Sequence, residues 1–144
     1  IRGVDFMGDT FQLDVVTPEK LLVSGRSKFI TAPGKDGRFG VLPGHTPLVS
    51  LLVAGELTVV MDGSGPEQRF VLSGGYIDVG HERVTVLVEK ALEKGQIDLH
   101  VAMREEETAV AEMAQFAEGE PASLVWIKRR DFARVCQQVV KSAH

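Results

Sequence analysis

Through the first two thirds of the chain, apolar residues alternate with polar ones or gather in short β-branched runs. Phe11, Leu13 and Val15 alternate with Gln12 and Asp14, and comparable segments recur at 28–32, 56–61, 69–72, 76–79 and 83–88. A period of two places one face of a strand in a core and the other in water. Between these segments stand turn-forming clusters: PGKDG at 33–37, PG at 43–44, DGSGP at 62–66, SGG at 73–75 and VGHE at 79–82. Short strands punctuated at this spacing predict an all-β sandwich or barrel.

After Gly95 the period changes. Leu99, Ala102, Met103, Val110, Met113, Ala114 and Ala117 recur at helical spacing, with Glu105, Glu107 and Glu112 mostly off the stripe and Glu106 interrupting it. Asp98 is placed to cap this helix, and Glu118-Gly119-Glu120-Pro121 to end it. A second helix is expected from Ala122, with Val125, Phe132, Val135, Cys136, Val139 and Val140 on one side. The short connection makes the pair an antiparallel hairpin. The expected fold is α+β: a β-sandwich over 1–95, built of antiparallel strands, followed by a two-helix hairpin over 96–144.

Charge sharpens this division. The whole chain of 144 residues carries a net charge of −4. Residues 1–96 carry −2, residues 97–121 carry −6, and residues 122–144 carry +4. An acidic first helix therefore faces a basic second one, with Lys128, Arg129, Arg130, Arg134 and Lys141 supplying the positive charge. The acidic balance argues against nucleic acid as the main partner. No apolar run approaches the roughly 20 residues of a membrane helix. A single cysteine, Cys136, excludes an intrachain disulfide and fits a reducing compartment.

Catalytic chemistry finds no constellation. His45, His81, His100 and His144 are scattered, without metal-ligand spacing, and there is no G-x-S-x-G elbow, Walker loop or Rossmann fingerprint. Gly34, Gly37, Gly40 and Gly44 are expected to serve turns with positive φ rather than a phosphate cradle. No cofactor or metal is expected.

Three stretches do carry a resemblance. FQLDVVTPEKLLVSG opens the β region; PGKDGRFGVLPGHTPLVSLLVAGELTV forms its centre, with Gly44, His45, Pro47 and Leu48 in a G-H-x-P-L pattern; SGGY at 73–76 and VTVL at 84–87 close it. Together they resemble the epsilon subunit of bacterial F-type ATP synthases, equivalent to the mitochondrial delta subunit. The resemblance implies a non-catalytic rotor subunit of the central stalk, linking the gamma subunit to the membrane c-ring. Contacts with these two partners are then expected at Arg38, Phe39, Pro43, Gly44, His45 and Pro47. Arg38 stands where relatives often carry an acidic residue, so either the ring loop differs or Arg38 bonds backbone carbonyls. The basic residues of the second helix are expected to make transient contact with the alpha/beta catalytic head and to inhibit ATP hydrolysis. An ATP-binding motif of the family is degenerate here: Ile97, Asp98 and Ala102 match, but Val101 replaces the phosphate-binding arginine. The implied location is peripheral, without insertion into the bilayer, on the cytoplasmic face of the bacterial inner membrane or the matrix side of the mitochondrial one. A stand-alone β-sandwich binding a carbohydrate or other small ligand is the alternative; it would leave the charged hairpin without a role.

Overall fold

The structure is a computed structural model that describes residues 10–63 and 65–142. The opening segment 1–9, Ser64 of the 62–66 turn, and His144 lie outside the described residues.

Seven strands form the β body: β1 (Phe11–Val16), β2 (Leu21–Gly34), β3 (Gly37–Val41), β4 (Leu48–Met61), β5 (Gln68–Val79), β6 (Arg83–Val88) and β7 (Ala91–Glu93). Alternation acts as expected in β1, where Phe11, Leu13 and Val15 are buried and their neighbours half-buried. The strand order is β1-β6-β5-β4-β2-β3, β7 pairs β5, and β1 also pairs β2. The order thus closes on itself, which leaves β1 with no bare edge. Closure requires one departure from an all-antiparallel sandwich. The antiparallel pairing of β1 with β2 sets its direction, and β6 then meets it in parallel. Leu13, Val15, Ile30, Leu57, Val59, Leu72, Ile77 and Val86 are wholly enclosed. Each contributes about 1.5–3 kcal/mol of hydrophobic burial.

β4 and β5 are longer than the apolar pattern suggested. The SGG cluster does not turn the chain; β5 runs through it, with Leu52 opposite Gly75 and Ala54 opposite Ser73 on β4. Gly75 has φ +150°, and a Cβ there would sit 2.1 Å from the carbonyl oxygen of Leu87. Glycine is needed at that position because β5 bends against the β6 backbone, and the bend occurs within the ladder. The cluster at 33–37 does form a tight hairpin between β2 and β3, with Gly34 paired to Gly37. Gly37 and Gly44 have positive φ, whereas Gly34 and Gly40 make room for the rings of Phe39 and Phe29.

Two helices follow, α1 (Leu99–Met113) and α2 (Leu124–Lys141). Asp98 caps α1 as expected: its Oδ1 accepts from the backbone N–H of His100 at 2.9 Å and Val101 at 3.2 Å. α1 ends at Met113, earlier than Ala117. Its inward stripe is also rotated. Ala102 and Ala109 are buried, while Met103 and Val110 are exposed. The reason is Glu106, which turns inward to meet Arg134 at 2.6 Å and Gln137 at 2.8 Å on α2. Small alanines beside these polar bonds let the helices approach closely. Gln137 also reaches the Ala102 carbonyl at 3.4 Å, so rising positions on α2 meet falling ones on α1 and the hairpin is antiparallel.

The hairpin rests on the β body through a second, smaller cluster. Phe70 and Leu72 of β5 belong to the core of the β body, and Val71 between them joins Ala102, Phe132, Cys136 and Val139. Arg69 fastens the far end of α2. Its guanidinium is hydrogen-bonded to the Glu56 carboxylate and donates to the Ser142 hydroxyl at 3.1 Å, placing a cation at the negative end of the helix.

Candidate functional site

The Pro43-Gly44 corner follows β3. The His45 N–H donates to the Leu42 carbonyl at 3.1 Å, and Gly44 takes φ +80°, the geometry of a type II turn with proline leading. Leu42, Gly44, Thr46 and Pro47 are exposed, and Pro43 and His45 are half-buried. His45 Nδ1 donates to the Thr46 carbonyl at 2.7 Å. The corner therefore projects from the β body with its backbone already ordered. Leu42, at its tip, was missed by the sequence reading, although an apolar residue directly before Pro-Gly is a visible signal.

Arg38 and Phe39 behave differently from the corner. Arg38 is exposed, yet its guanidinium donates to the Glu56 carbonyl at 2.6 Å and to the Thr31 hydroxyl at 2.8 Å. Of the two readings left open for Arg38, the backbone-carbonyl one describes its contacts. Phe39 packs partly buried against the barrel core. Both support the β2–β3 hairpin from which the corner extends.

A larger surface appears on the outer face of the β body. Leu51 of β4 lies opposite Tyr76 of β5, Tyr76 opposite Leu87 of β6, and Leu87 opposite Val16 of β1. This apolar ladder crosses four adjacent strands, and Val49 and Val53 extend it along β4. Leu51, Val53, Tyr76 and Leu87 are between 42% and 55% exposed, and Val49 reaches 72%. Scattered surface hydrophobics need no explanation, but a contiguous apolar row marks an interaction surface. No single-strand pattern reveals the row across the sheet, because Val16, Leu51, Tyr76 and Leu87 come one from each of four strands. Part of the ladder floors a cleft of about 1380 Å³ between the sheet and the hairpin, which Val101, Val125, Lys128 and Arg129 line from the helical side.

The basic residues of α2 do not form one patch. Lys128 and Arg129 face the cleft; Arg129 stacks 4.9 Å from the Trp126 ring and stands 3.6 Å from Glu105. Arg130 bonds Asp131 at 3.0 Å, and Arg134 is paired with Glu106. Lys141 is exposed in the last turn, where a cation complements the helix dipole. Hydrogen bonds from Arg134 and Gln137 hold the Glu106 carboxyl below its usual range. Burial pushes the Cys136 thiol up to about 11, so it stays protonated beneath the hairpin.

The degenerate nucleotide motif is built into the hairpin. Ile97 packs against the helix cluster, Asp98 is spent on the cap, and Ala102 is buried between α1 and α2. Val101 projects into the cleft, 42% exposed. Among the described residues no group of three or more His, Cys, Asp and Glu could hold a metal ion, and no helix is long and apolar enough to cross a membrane.

The family described as ATP synthase, Delta/Epsilon chain, beta-sandwich domain matches residues 10–94. The ATP synthase epsilon chain of Nitratidesulfovibrio vulgaris strain DP4 is 37% identical over 112 residues, covering 78% of this chain and 82% of that one. That of Bordetella petrii is 42% identical over 89 residues, covering 62% of each. Among solved structures, a chain of the Euglena gracilis mitochondrial ATP synthase, from its OSCP/F1/c-ring assembly, superposes with a TM-score of 0.76 at 21% identity, over 92% of this chain and 82% of that one. A chain of the Tetrahymena thermophila central stalk/c-ring gives 0.63 at 15% identity, over 90% of this chain and 96% of that one. These two likenesses extend the shared fold through the hairpin. With the family matched across the whole β body and epsilon chains aligned into the hairpin, this protein belongs to the delta/epsilon family of ATP synthase subunits, accessory rather than catalytic.

Proposed function

We propose that the chain is a rotor subunit of the central stalk, which grips the gamma subunit with its apolar ladder and the c-ring with the Pro43-Gly44 corner. The carrying observation is the exposed row Leu51, Tyr76 and Leu87, continued by half-buried Val16 into an apolar strip across four strands. Such a row costs free energy in water and is stabilising once covered. The corner adds a pre-ordered projection, so little conformational entropy is lost on docking. Its contacts with the ring would be Leu42, Pro43, Gly44, His45 and Pro47, with Arg38 and Phe39 acting from behind. The subunit sits peripherally, on the side of the membrane that carries the catalytic head.

The hairpin supplies regulation. In the docked form Arg134 is neutralised by Glu106 and Arg129 by Glu105. When the hairpin opens, those cations become available to acidic segments of the catalytic head and restrain ATP hydrolysis. Opposite variants of one ion pair test this in the assembled enzyme. Glu106→Gln loosens the hairpin while keeping every cation, and should deepen inhibition. Arg134→Glu, with Arg130→Glu, loosens it while removing the charge, and should relieve inhibition. Equal hydrolysis rates for both variants would refute a regulatory role for the basic helix. For the docking reading, Tyr76→Asp should weaken capture of gamma by the full chain about tenfold or more, a loss of at least about 1.4 kcal/mol.

A further inference from the structure

We infer that Arg38 is a positioning residue for the arm: through Glu56 it aims Arg69, and Arg69 holds the end of α2. This is independent of any effect of opening on ATP hydrolysis and needs only that the hairpin can leave the β body. The contacts begin in an irregular stretch of β4. Thr31 of β2 lies opposite Thr58 of β4, and the next pair in register is Gly34 opposite Leu52, so three steps along β2 answer six along β4. Glu56 falls in that gap and has no opposite residue on β2. Its carbonyl is taken up by a side chain reaching across β2 from β3: Arg38 Nη1 donates to it at 2.6 Å, while Nη2 donates to the Thr31 hydroxyl at 2.8 Å. A bulge loosens a strand from its ladder and re-aims a side chain. Arg38 ties β4 to β2 where the ladder does not.

What the bulge aims is the Glu56 carboxylate. It pairs with the Arg69 guanidinium, whose Nη2 donates to the Ser142 hydroxyl at 3.1 Å. The side chains of Glu56 and Arg69 are only 19% and 15% exposed, so water has little room to replace a bond that shifts. Arg69 stands two residues before Val71 on β5, hence on the face that α2 covers. In the docked form Arg69 Nη1 is buried and meets no acceptor among the described residues. Docking therefore carries a cost at Arg69. The bond to Ser142 outweighs it only while Glu56 holds the guanidinium in place. The projecting corner and the arm thus share one polar chain: β3, which leads into Pro43-Gly44, holds Glu56, and Glu56 holds the latch on α2. Slack at β3 becomes slack at the end of α2, because both bias one two-state element, the docked or open arm.

A double-mutant cycle in the full chain tests this, with the rate at which buried Cys136 reacts with a thiol reagent reporting how often the arm opens. Arg38→Ala truncates an exposed side chain and should speed that reaction about fivefold, with the denaturation midpoint of the β body unmoved. In an Arg69→Met background no guanidinium remains to be aimed, so the same Arg38→Ala change should leave the rate unaltered. A merely local role for Arg38 would not depend on the background. Equal acceleration in both backgrounds, or no acceleration in the otherwise unaltered chain, would overturn the inference. A midpoint that falls in step with the faster rate would overturn it as well, since the thiol would then be reached by unfolding of the β body rather than by release of the arm.

Discussion

The β body and the hairpin are both held by apolar packing, but on different scales. Among the described residues, seventeen buried side chains form one cluster inside the barrel, whereas five form the cluster under the hairpin. Only one of those five, Val71, comes from a strand. The barrel has closed its ladder through β1, so none of β1, β2, β4, β5 and β6 can leave without breaking pairing on two sides. The hairpin can leave by surrendering Phe132, Cys136, Val139 and the Arg69–Ser142 bond. Helices of 15 and 18 residues are marginal alone in water. One sequence thus contains a body whose structure is over-determined and an arm whose position is barely determined. The function proposed above, a rigid docking body with a switching arm, draws on both.

That contrast can be broken at either end. The largest effect is expected from Leu57→Ala or Leu72→Ala, fully enclosed positions where a cavity costs about 2–5 kcal/mol. Denaturant titration should show the whole chain losing stability. Phe132→Ala should act on the arm alone. Removing a buried ring costs about 3 kcal/mol or more, at least about a hundredfold in the opening equilibrium. The readout is the lone thiol: Cys136 should react far faster with a thiol reagent, while the denaturation midpoint of the β body barely moves. If that midpoint falls as far as it does for Leu57→Ala, the two regions are one cooperative unit.

Acid sharpens the comparison. Glu106 has its folded-state pKa lowered, so its contribution to the pairing of α1 with α2 is full above the ordinary value of about 4.5 and is lost as pH falls below it. Trp126, the chain's one tryptophan, should report loosening of α2 by fluorescence as pH falls below about 4.5. Glu106→Gln should flatten that transition. In the β body, hydrogen bonds from Ser24 and Gln12, with Arg83 nearby, lower the Asp14 carboxyl, so acid weakens both regions, but the arm yields first because it has less apolar burial. The smallest effect belongs to Arg129→Ala. Its pair with Glu105 is long and half-exposed, worth about 0–1 kcal/mol, and hairpin stability by hydrogen exchange should be unchanged within error.

Strand segments in β1, β2, β4, β5 and β6, most of the turns, the α1 cap and the change to helices near residue 95 were legible, because each depends on neighbours in the chain, whereas β3 and β7 were not foreseen. Asp98 caps α1 through N–H groups two and three residues away, and Pro43-Gly44 turns through its own dihedrals. The misreadings share a cause. SGG carries every local mark of a turn, yet a neighbouring strand kept the chain in the ladder. Met103 and Val110 outrank Glu106 in hydropathy, yet Arg134 and Gln137, some thirty residues away, turned Glu106 inward. The basic face dispersed for the same reason, Arg129, Arg130 and Arg134 each following its own carboxylate.

The order of apolar and polar residues therefore determined a β body, a hairpin and a projecting corner, since periodicity and turn chemistry act over a few residues. Tertiary structure alone decided that β1 closes the barrel, that Leu51, Tyr76, Leu87 and Val16 align into one row, and that the hairpin stands beside that row. Surfaces made of one residue from each of several strands exist only in the register, and the register is set by burial of the opposite face.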